Sequence, residues 1–330
     1  MKKSSDKKIL FVYYSFSSFV KQDYEILLKH YTVEKFQWRG KKDLFRLAFK
    51  ILKSDMTFSW FAYAHAAVAV FFSKIFRKKS IVVVGGGDVA YVPEIGYGAF
   101  TSVRHRVPAN YVLKNADRLL AVSEFTKSEI LQRSNPKNVE VIYNGVDLEK
   151  NMVSDFGKKE NLVLTIGDVS KQRVKLKGLE TFTKASVAFS KCQFAIIGNT
   201  DDLQAAVLKE TNPGLIFTGR LPHDETLKWL ARAKVYCQLS YRESFGVGLA
   251  EAMACGCAPV VTSRGALPEV VGDAGFYVPY GDEKATADAI RKAVEASGEL
   301  GKKARERIKD NFPIEKREKR LISLISEMNI

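Results

Sequence analysis

The sequence predicts an α/β protein of two doubly wound domains, each built around a parallel sheet. The chain has 330 residues, which corresponds to two domains of about 150 residues each. Short apolar runs of strand length alternate with helical patterns along the chain, an order that favours parallel strands covered by helices. A polar stretch from residue 143 to 161 contains Asn144-Gly145 and indicates the junction. We therefore expect a first domain over residues 1–150 and a second over residues 151–312.

In the first half, apolar runs bounded by polar or small residues predict six strands, at residues 8–14, 32–37, 57–61, 80–84, 118–122 and 139–143. Helical spacing predicts helices at residues 21–30, 44–53, 64–76 and 124–134. The apolar residues 56–76 resemble a membrane span, but they lie at the lower length limit and contain His65 and two serines. We therefore expect a strand followed by a buried helix in this segment.

The second half repeats the alternation. Strands are expected at residues 162–166, 193–197, 215–218, 235–239 and 259–262, and helices at residues 178–189, 201–208, 222–231, 247–254 and 283–296. Two such domains facing each other would enclose a cleft at the carboxyl ends of their strands, where α/β proteins bind ligands.

Composition is that of an ordinary globular protein, with 46% hydrophobic and 27% charged residues. The N-terminal MKKSSDKKILFVYYSFSS has a short apolar run and lacks a small-residue cleavage site. We interpret it as a first strand rather than a signal peptide. The four cysteines lack the spacing and the histidines of a zinc site, so we expect reduced structural thiols. These features predict a cytoplasmic protein.

The net charge of +15 is concentrated in the first half, where residues 1–150 contain 25 Lys and Arg against 14 Asp and Glu. Residues 35–79 hold eleven basic residues and only Asp43 and Asp55 as acids, interleaved with aromatic side chains. A basic stretch with aromatics can lie in an anionic membrane interface without spanning it. Attachment to the cytoplasmic face of the membrane is our hypothesis; charge that serves solubility or a polyanionic substrate is the plainer alternative, and nucleic acid is not expected.

The most informative segment covers residues 240–261, SYRESFGVGLAEAMACGCAPVV. A loop carrying Glu243 follows an expected strand, and a helix opens at about Gly246. Glycines and the free N–H groups of a helix start suit a diphosphate. Glu251 is placed to accept hydrogen bonds from paired hydroxyls, as on a ribose, and Glu243 to reach the other end of the ligand. On spacing alone, two solvated glutamates beside an ordinary helix are the plainer alternative.

The whole segment resembles the signature of glycosyltransferase family 4, the retaining group 1 glycosyl transferases of the GT-B fold. That signature is a Glu, seven residues, a second Glu, a small-residue run, Gly-x-Pro-Val-Val and a downstream Pro-Glu. Its counterparts here are Glu243, Glu251, Gly256-Cys257-Ala258-Pro259-Val260-Val261 and Pro268-Glu269. Further landmarks that resemble the family are Ala116-Asp117-Arg118, Val122-Ser123-Glu124 and Asn144-Gly145-Val146-Asp147. The resemblance runs from about residue 81 to residue 330 and is weaker before that.

The resemblance implies a role for each matched residue. Glu251 would bind the donor ribose, and Glu243 would lie at the transferred sugar. Lys177, in the pair Lys177-Gly178, would neutralise the diphosphate and stabilise the charge on the leaving nucleotide. The backbone of Gly219, Arg220 and Leu221 would contact the nucleotide base. The remaining donor-site residues implied are Ser244, Phe245, Gly246 and Val247.

Two positions depart from the family pattern. Members usually carry an Arg directly after the strand-ending Gly, and Asp168 stands there in this chain. Lys171 or Arg173, on a longer expected loop before Lys177, could supply the second cation, and we favour Arg173. Many members carry a His where this chain has Gly86-Gly87-Asp88. Asp88 either contacts the acceptor or the sugar, or stabilises a turn.

Taken together, the resemblance implies a retaining enzyme that moves a hexose from a nucleotide-sugar donor to a glycan or lipid-linked acceptor, in cell-envelope or glycoconjugate synthesis. No metal or other cofactor is expected, because cationic side chains and helix termini would take the role of the ion. The last helix, within residues 313–330, would return to the first domain as in the family. The alternatives are another GT-B enzyme, such as a nucleotide-sugar epimerase or a phosphorylase, and an inactive basic scaffold that recognises nucleic acid.

Overall fold

The chain forms two α/β units, each containing a parallel sheet of six strands within the part of the chain that the structure describes. This structure is a computed structural model that describes residues 7–149 and 159–328. Unit 1 comprises Met1–Asn144 with Glu315–Ile330, and unit 2 comprises Gly145–Ile314. The boundary expected between residues 150 and 151, and the first six residues of the N-terminal stretch, lie outside the described residues.

Unit 1 alternates strands and helices. Its elements are β1 (Lys8–Tyr13), α1 (Ser18–His30), β2 (Thr32–Gln37), α2 (Leu44–Leu52), β3 (Met56–Trp60), α3 (Ala64–Ile75), β4 (Lys79–Val84), α4 (Val103–Asn115), β5 (Arg118–Ala121), α5 (Glu124–Ser134) and β6 (Val139–Val141). The strand order is β2-β1-β3-β4-β5-β6, with every pair parallel. The carboxyl ends of these strands therefore share one edge, which favours ligand binding there.

Unit 2 has the same architecture. Its elements are β7 (Glu160–Ile166), α6 (Lys171–Lys177), α7 (Leu179–Ser186), β8 (Gln193–Ile197), α8 (Asp202–Thr211), β9 (Ile216–Phe217), α9 (His223–Arg232), β10 (Ala233–Gln238), α10 (Val247–Ala254), β11 (Ala258–Thr262), α11 (Leu267–Val271), β12 (Phe276–Val278), α12 (Glu283–Glu295) and α13 (Ser297–Asn311). The parallel strands follow the order β12-β11-β10-β7-β8-β9. The two doubly wound α/β units confirm the predicted fold class.

The apolar residues 56–76 form β3 and α3, as the sequence analysis expects. β3 is buried along its whole length, and α3 packs against β3 and α2. His65 is buried, and the hydrogen bond between its ring nitrogen Nε2 and the Trp60 carbonyl, at 2.7 Å, offsets the cost of burying this polar group. Among the described residues, no helix combines the length and the apolar character that crossing a membrane requires.

Helices α6 and α4 are among the elements that were not predicted from the sequence. The loop expected before Lys177 is the helix α6, which ends where Gly178 takes φ +66°. The expected helix at residues 178–189 therefore begins one residue later, as α7. Helix α4 contains Pro108, a residue that normally interrupts a helix. Local patterns could not separate α6 from a loop, because a helix of seven residues depends on tertiary packing.

The last helix, α14 (Ile314–Glu327), places Arg317 in unit 1. The Arg317 guanidinium is fully buried and pairs with the buried carboxylate of Asp23 through two contacts of 2.6 Å. The Trp60 indole donates to the same carboxylate at 2.9 Å. Arg317 also donates to the carbonyls of Ile142 and Tyr143 at 2.7 and 2.9 Å. This network joins α14 to α1, β3 and the chain after β6.

Replacing Arg317 with Met should destabilise unit 1 strongly. The change leaves the Asp23 carboxylate buried without its cation, and breaking a buried pair in this way costs about 3–5 kcal/mol. We expect the urea midpoint for loss of helical circular dichroism to fall accordingly. Arg320→Met on the same helix is the matched control, because Arg320 pairs with Glu140 near the surface, where such a pair contributes about 1 kcal/mol or less. Equal losses in the two variants would contradict an anchoring role for Arg317.

Candidate active site

Lys177 is positioned by a close backbone approach at the carboxyl end of β10. Gly178 follows it with φ +66°, and a Cβ atom on Gly178 would collide with the Leu239 carbonyl oxygen. The Tyr241 amide also donates to the Leu176 carbonyl at 2.9 Å, which fixes the end of α6 against the loop after β10. Only glycine both adopts this positive φ readily and leaves room for the Leu239 carbonyl. Gly178 therefore allows the Lys177 ammonium to reach this loop.

The Lys177 ammonium meets the carboxylate of Glu243 at 2.6 Å. Gln238 donates to the same carboxylate oxygen at 3.3 Å, and Tyr236 donates to the Gln238 side chain at 3.0 Å. Burial would raise the pKa of the Glu243 carboxyl, but the adjoining Lys177 and Arg242 cations hold that pKa below its ordinary value. Glu243 is therefore ionised at neutral pH, and the two functional groups predicted from the sequence form one ion pair.

The loop from Glu243 leads directly into α10. Gly246 precedes the helix with φ +87°, and Val247 is its first residue. The backbone N–H groups of a first helical turn lack acceptors within the helix, and its dipole is positive there. The Lys177 ammonium contacts Glu243, and a helix starts four residues after Glu243, an arrangement that suits an anionic group.

Glu251 lies on the second turn of α10 and is largely buried. Its carboxylate meets the Nε2 atom of His223 at 2.7 Å. His223 is the first residue of α9 and directly follows the segment Gly219-Arg220-Leu221-Pro222. This contact brings the predicted ribose-binding glutamate together with the predicted base-contacting segment. His223 has no role among the sequence predictions, and its place right after that segment is the signal that could have identified it.

The other predicted donor residues differ in accessibility. Ser244 is buried and accepts from the buried Arg242 guanidinium at 3.1 Å. Phe245 is buried and packs edge-on against Phe312 at 5.5 Å between ring centroids, so its side chain supports the loop. Arg242 is a functional candidate that sequence reasoning missed, because nothing in the pattern separates it from a solvated arginine.

Arg173 lies on α6 four residues before Lys177, so the two side chains share a face of that helix. Gly219 has φ +71° and its amide oxygen accepts from Gly198 at 3.1 Å. Arg220 is exposed and Leu221 is half-buried. The helical spacing favours Arg173 over Lys171 as the second cation, because residue 171 is six positions from Lys177.

Asp88 belongs to unit 1, and its geometry is that of a turn-stabilising residue. Its carboxylate accepts from the backbone amides of Gly86 and Ala62, both at 2.7 Å, and the side chain is fully buried. Burial raises its pKa to about 6, although these amides favour the charged form. Of the two roles left open by the sequence, the observed contacts fit the turn, which ties the end of β4 to the loop after β3.

Within the described ranges, no three His, Cys, Asp or Glu side chains gather in a group suited to holding a metal ion. The four cysteines are thiols rather than disulfides, and three of them are buried. Burial raises the pKa of the Cys237 and Cys255 thiols well above the ordinary value. The charged groups that meet in unit 2 are instead the Lys177–Glu243 pair beside the carboxyl end of β10.

Two family models match the chain. The model of glycosyl transferases group 1 matches residues 160–296, and the model of glycosyltransferase family 4 matches residues 23–150. Together they cover most of both units, including the Lys177–Glu243 pair and Glu251.

The chain also resembles characterised proteins. It is 25% identical over 283 residues to the N-acetyl-alpha-D-glucosaminyl L-malate synthase of Bacillus anthracis, covering 79% of this chain and 72% of that protein. It is 23% identical over 216 residues to N-acetylgalactosamine-N,N'-diacetylbacillosaminyl-diphospho-undecaprenol 4-alpha-N-acetylgalactosaminyltransferase of Campylobacter jejuni. That match covers 62% of this chain and 57% of the Campylobacter protein, so the chain spans little more than half of it.

Among solved structures, Anabaena Alr3699/HepE in complex with UDP and glucose superposes with a TM-score of 0.80. The identity is 17%, and the match covers 98% of this chain and all of the other, which shows a shared fold. The two doubly wound units are therefore those of the GT-B fold. With both units matched by glycosyl transferase models, the chain belongs to the group 1 glycosyl transferases, glycosyltransferase family 4.

Proposed function

We propose that this glycosyltransferase moves a hexose from a nucleotide-sugar donor to a glycan or lipid-linked acceptor, with retention at the anomeric carbon and without a metal ion. The observation that carries the proposal is the meeting of Lys177 and Glu243 beside the start of α10. Family membership supports retention. The product would belong to cell-envelope or glycoconjugate synthesis; the Campylobacter relative, which is named for a diphospho-undecaprenol-linked acceptor, supports a lipid-linked acceptor.

The charges in unit 2 fit the stages of such a transfer. A diphosphate at the first turn of α10 would accept from backbone N–H groups and lie beside Lys177. As the glycosidic bond breaks, negative charge grows on the leaving nucleotide, and a fixed ammonium stabilises that charge more than the ground state. Arg173, on the same face of α6, would add a second positive charge. These cations would supply the stabilisation that a divalent ion gives elsewhere.

The far end of the donor would lie along α10 and α9. A ribose at Glu251 would donate its hydroxyl protons to the carboxylate, which His223 holds from the other side at 2.7 Å. Gly219, Arg220 and Leu221, adjacent to His223 in the chain, would meet the base. Ser244, Gly246 and Val247 would line the path between ribose and sugar, with Phe245 fixing the loop by packing.

We further propose that unit 1 attaches to an anionic membrane surface at the cytoplasmic face. Helix α2 is apolar on two opposite sides: Leu47 and Ile51 are buried, whereas Phe45, Phe49 and Leu52 face solvent, with Phe45 83% exposed. The exposed three recur at i, i+4 and i+7 and therefore form one stripe. Surface phenylalanines in such a stripe are unfavourable in water and favourable in a lipid interface.

The neighbouring helix extends this surface. Phe71 and Ile75 of α3 are exposed, and Phe71 lines an apolar depression of about 300 Å³ together with Leu44 of α2. We call Phe45, Phe49, Leu52, Phe71 and Ile75 the lipid-facing patch. Exposed cations surround it in sequence, namely Lys41, Lys42, Arg46, Lys53, Lys74 and Arg77. An apolar patch with basic neighbours is complementary to anionic headgroups above acyl chains.

Glu251→Ala should weaken donor binding and leave folding intact. The lost carboxylate leaves donor hydroxyls unpaired, which costs about 1–3 kcal/mol, or about 5- to 150-fold in Kd. A thermal-shift screen over nucleotide sugars first identifies a donor, since a ligand at 100 times its Kd stabilises by about 2.7 kcal/mol. Titration of that donor then compares the variant with Glu225→Ala, an exposed glutamate on α9. Donor affinity within twofold of the wild type in Glu251→Ala would overturn the ribose assignment.

Transfer should survive chelation. With the cations of α6 at the diphosphate, EDTA should change the rate of nucleotide release by less than about twofold. The same reaction mixture, followed by NMR, should give a product with the anomeric configuration of the donor sugar. Loss of activity in EDTA that magnesium or manganese restores would refute metal independence, and an inverted product would refute retention.

Vesicle flotation should show binding to membranes that contain phosphatidylglycerol and little binding to pure phosphatidylcholine. Lys41→Glu with Lys42→Glu should reduce flotation at least tenfold, because each basic residue contributes about 1 kcal/mol and reversal adds repulsion. Phe45→Ser with Phe49→Ser should reduce it comparably through lost apolar contact.

Matched controls come from unit 2. Leu203→Ser with Val207→Ser removes an exposed apolar pair at the same spacing on α8, and Lys302→Glu with Lys309→Glu makes the same charge change on α13. Both controls should float like the wild type. Absence of flotation at low salt, or equal losses in the controls, would contradict the lipid-facing patch. Binding that persists at high salt would show that the apolar side chains contribute more of the binding free energy than the charges do.

A further inference from the structure

Unit 1 contains a cavity of about 410 Å³ within the loops that follow β1, β3 and β4. This size lies in the range of about 300–1,000 Å³ that small-molecule sites occupy. Tyr14, Trp38, Tyr63 and Tyr97 contribute aromatic surface to its lining. None of these residues belongs to the donor site of unit 2, so the proposed donor does not account for this cavity.

The aromatic side chains are arranged as a recognition surface rather than as core. Tyr14 is half-exposed, and its ring meets that of Tyr63 edge-on at 5.8 Å. A Cβ atom on Gly87 would lie 3.0 Å from the Tyr97 hydroxyl and 3.5 Å from the Tyr63 hydroxyl, so glycine leaves both hydroxyls room on this wall. Ring faces that attract C–H groups, combined with hydroxyls that donate and accept, suit a saturated ring bearing hydroxyl groups.

His65 adds a neutral acceptor to the lining. Its Nε2 atom donates to the Trp60 carbonyl at 2.7 Å, which leaves a lone pair on Nδ1. Burial lowers the pKa of this imidazole to about 4, against the opposing effect of the Trp60 carbonyl, so the ring is neutral at pH 7. A neutral imidazole beside the Tyr14 ring, at 5.3 Å between ring centroids, favours hydroxyl ligands over cations.

The start of α4 places positive charge at the cavity. Arg104 and His105 are the second and third residues of this helix of 13 residues, and both line the cavity with their side chains exposed. Among the described residues, no carboxylate forms an ion pair with Arg104. A guanidinium in such a setting binds phosphate or carboxylate in a bidentate manner, and the helix dipole adds to the attraction.

We propose that this cavity binds a hydroxylated ring that carries a phosphate or a carboxylate, with the ring against the aromatic side chains and the anion at Arg104. The proposal rests on the proposed function, since such a compound would be the acceptor or the acceptor's terminal unit. The shared chemistry is an anionic sugar; whether the anion is a sugar phosphate, including one that leads to a lipid, or a sugar acid is decided by the probes below.

Trp38 provides a reporter for the test, because it lines the cavity. The 330-residue chain is titrated with glucose 1-phosphate, glucuronate, glucose and inorganic phosphate while tryptophan emission is followed. We expect saturable quenching by at least one of the two anionic sugars, at least tenfold tighter than by glucose or by inorganic phosphate. Tighter binding of glucose 1-phosphate would identify the ligand as a sugar phosphate, and tighter binding of glucuronate would identify it as a sugar acid. Trp38→Phe should abolish the signal.

Arg104→Gln should weaken the preferred anionic sugar at least tenfold and leave any glucose binding unchanged. Arg106→Gln is the matched control, because Arg106 lies two residues away on α4 and does not line the cavity. Both variants should keep the melting temperature of the wild type. The proposal would be overturned if glucose 1-phosphate, glucuronate and glucose bound with equal affinity. It would also be overturned if inorganic phosphate bound as tightly as either anionic sugar, or if the two variants had equal effects.

Donor binding in the same samples separates the two hypotheses. The proposed function fails if no nucleotide sugar stabilises the protein. The inference about the cavity fails if a nucleotide sugar stabilises the protein and Trp38 responds to none of the anionic probes. Nucleotide-sugar stabilisation that is unchanged in Arg104→Gln, together with lost quenching, would place the two ligands at separate sites as proposed.

Discussion

Gly178 lies so close to the carboxyl end of β10 that no side chain fits between its Cα atom and the Leu239 carbonyl. That approach ends α6, starts α7 and delivers Lys177 to Glu243 at 2.6 Å. The sheet contributes the other partner, since Glu243 follows β10 on the loop that leads into α10. A larger residue at 178 would have to separate α6 from the sheet, and the ion pair on which the proposed chemistry depends would be lost with it.

The two units use buried charge for different purposes. In unit 1, Arg317 and Asp23 lie in the interior with every contact made to protein groups, so their pair fixes α14 in place. In unit 2, Lys177 and Glu243 retain some exposure and sit beside a helix start that offers unpaired N–H groups. An incoming diphosphate can share the Lys177 charge, whereas nothing from solvent reaches Arg317. Burial therefore separates an anchoring pair from a pair available to a ligand.

Unit 1 has two surfaces whose properties would suit the proposed acceptor at a membrane. The lipid-facing patch combines exposed phenylalanines with lysines, and the aromatic cavity combines tyrosines with Arg104. Each pairs an apolar or aromatic area with positive charge, which matches a molecule that has an apolar or ring portion and an anionic group. An acceptor linked to lipid through phosphate has both features, so the basic excess of the first half would serve substrate capture as well as attachment.

The sequence by itself determined the alternation of strands and helices, the two-unit α/β fold and the motif residues, because apolar periodicity and glycine spacing are local properties. Its resemblance to the family also marked Glu243 and Glu251 in one signature and Lys177 in a separate Lys-Gly motif. Tertiary structure alone decided that α6 is a helix, that the Asp88 carboxylate accepts hydrogen bonds from backbone amides and that His223 contacts Glu251. The stripe on α2 that faces solvent was equally undetermined, since periodicity shows an apolar side without telling whether protein covers it. These outcomes depend on which segments meet in space, and contacts between residues distant in sequence leave no local pattern.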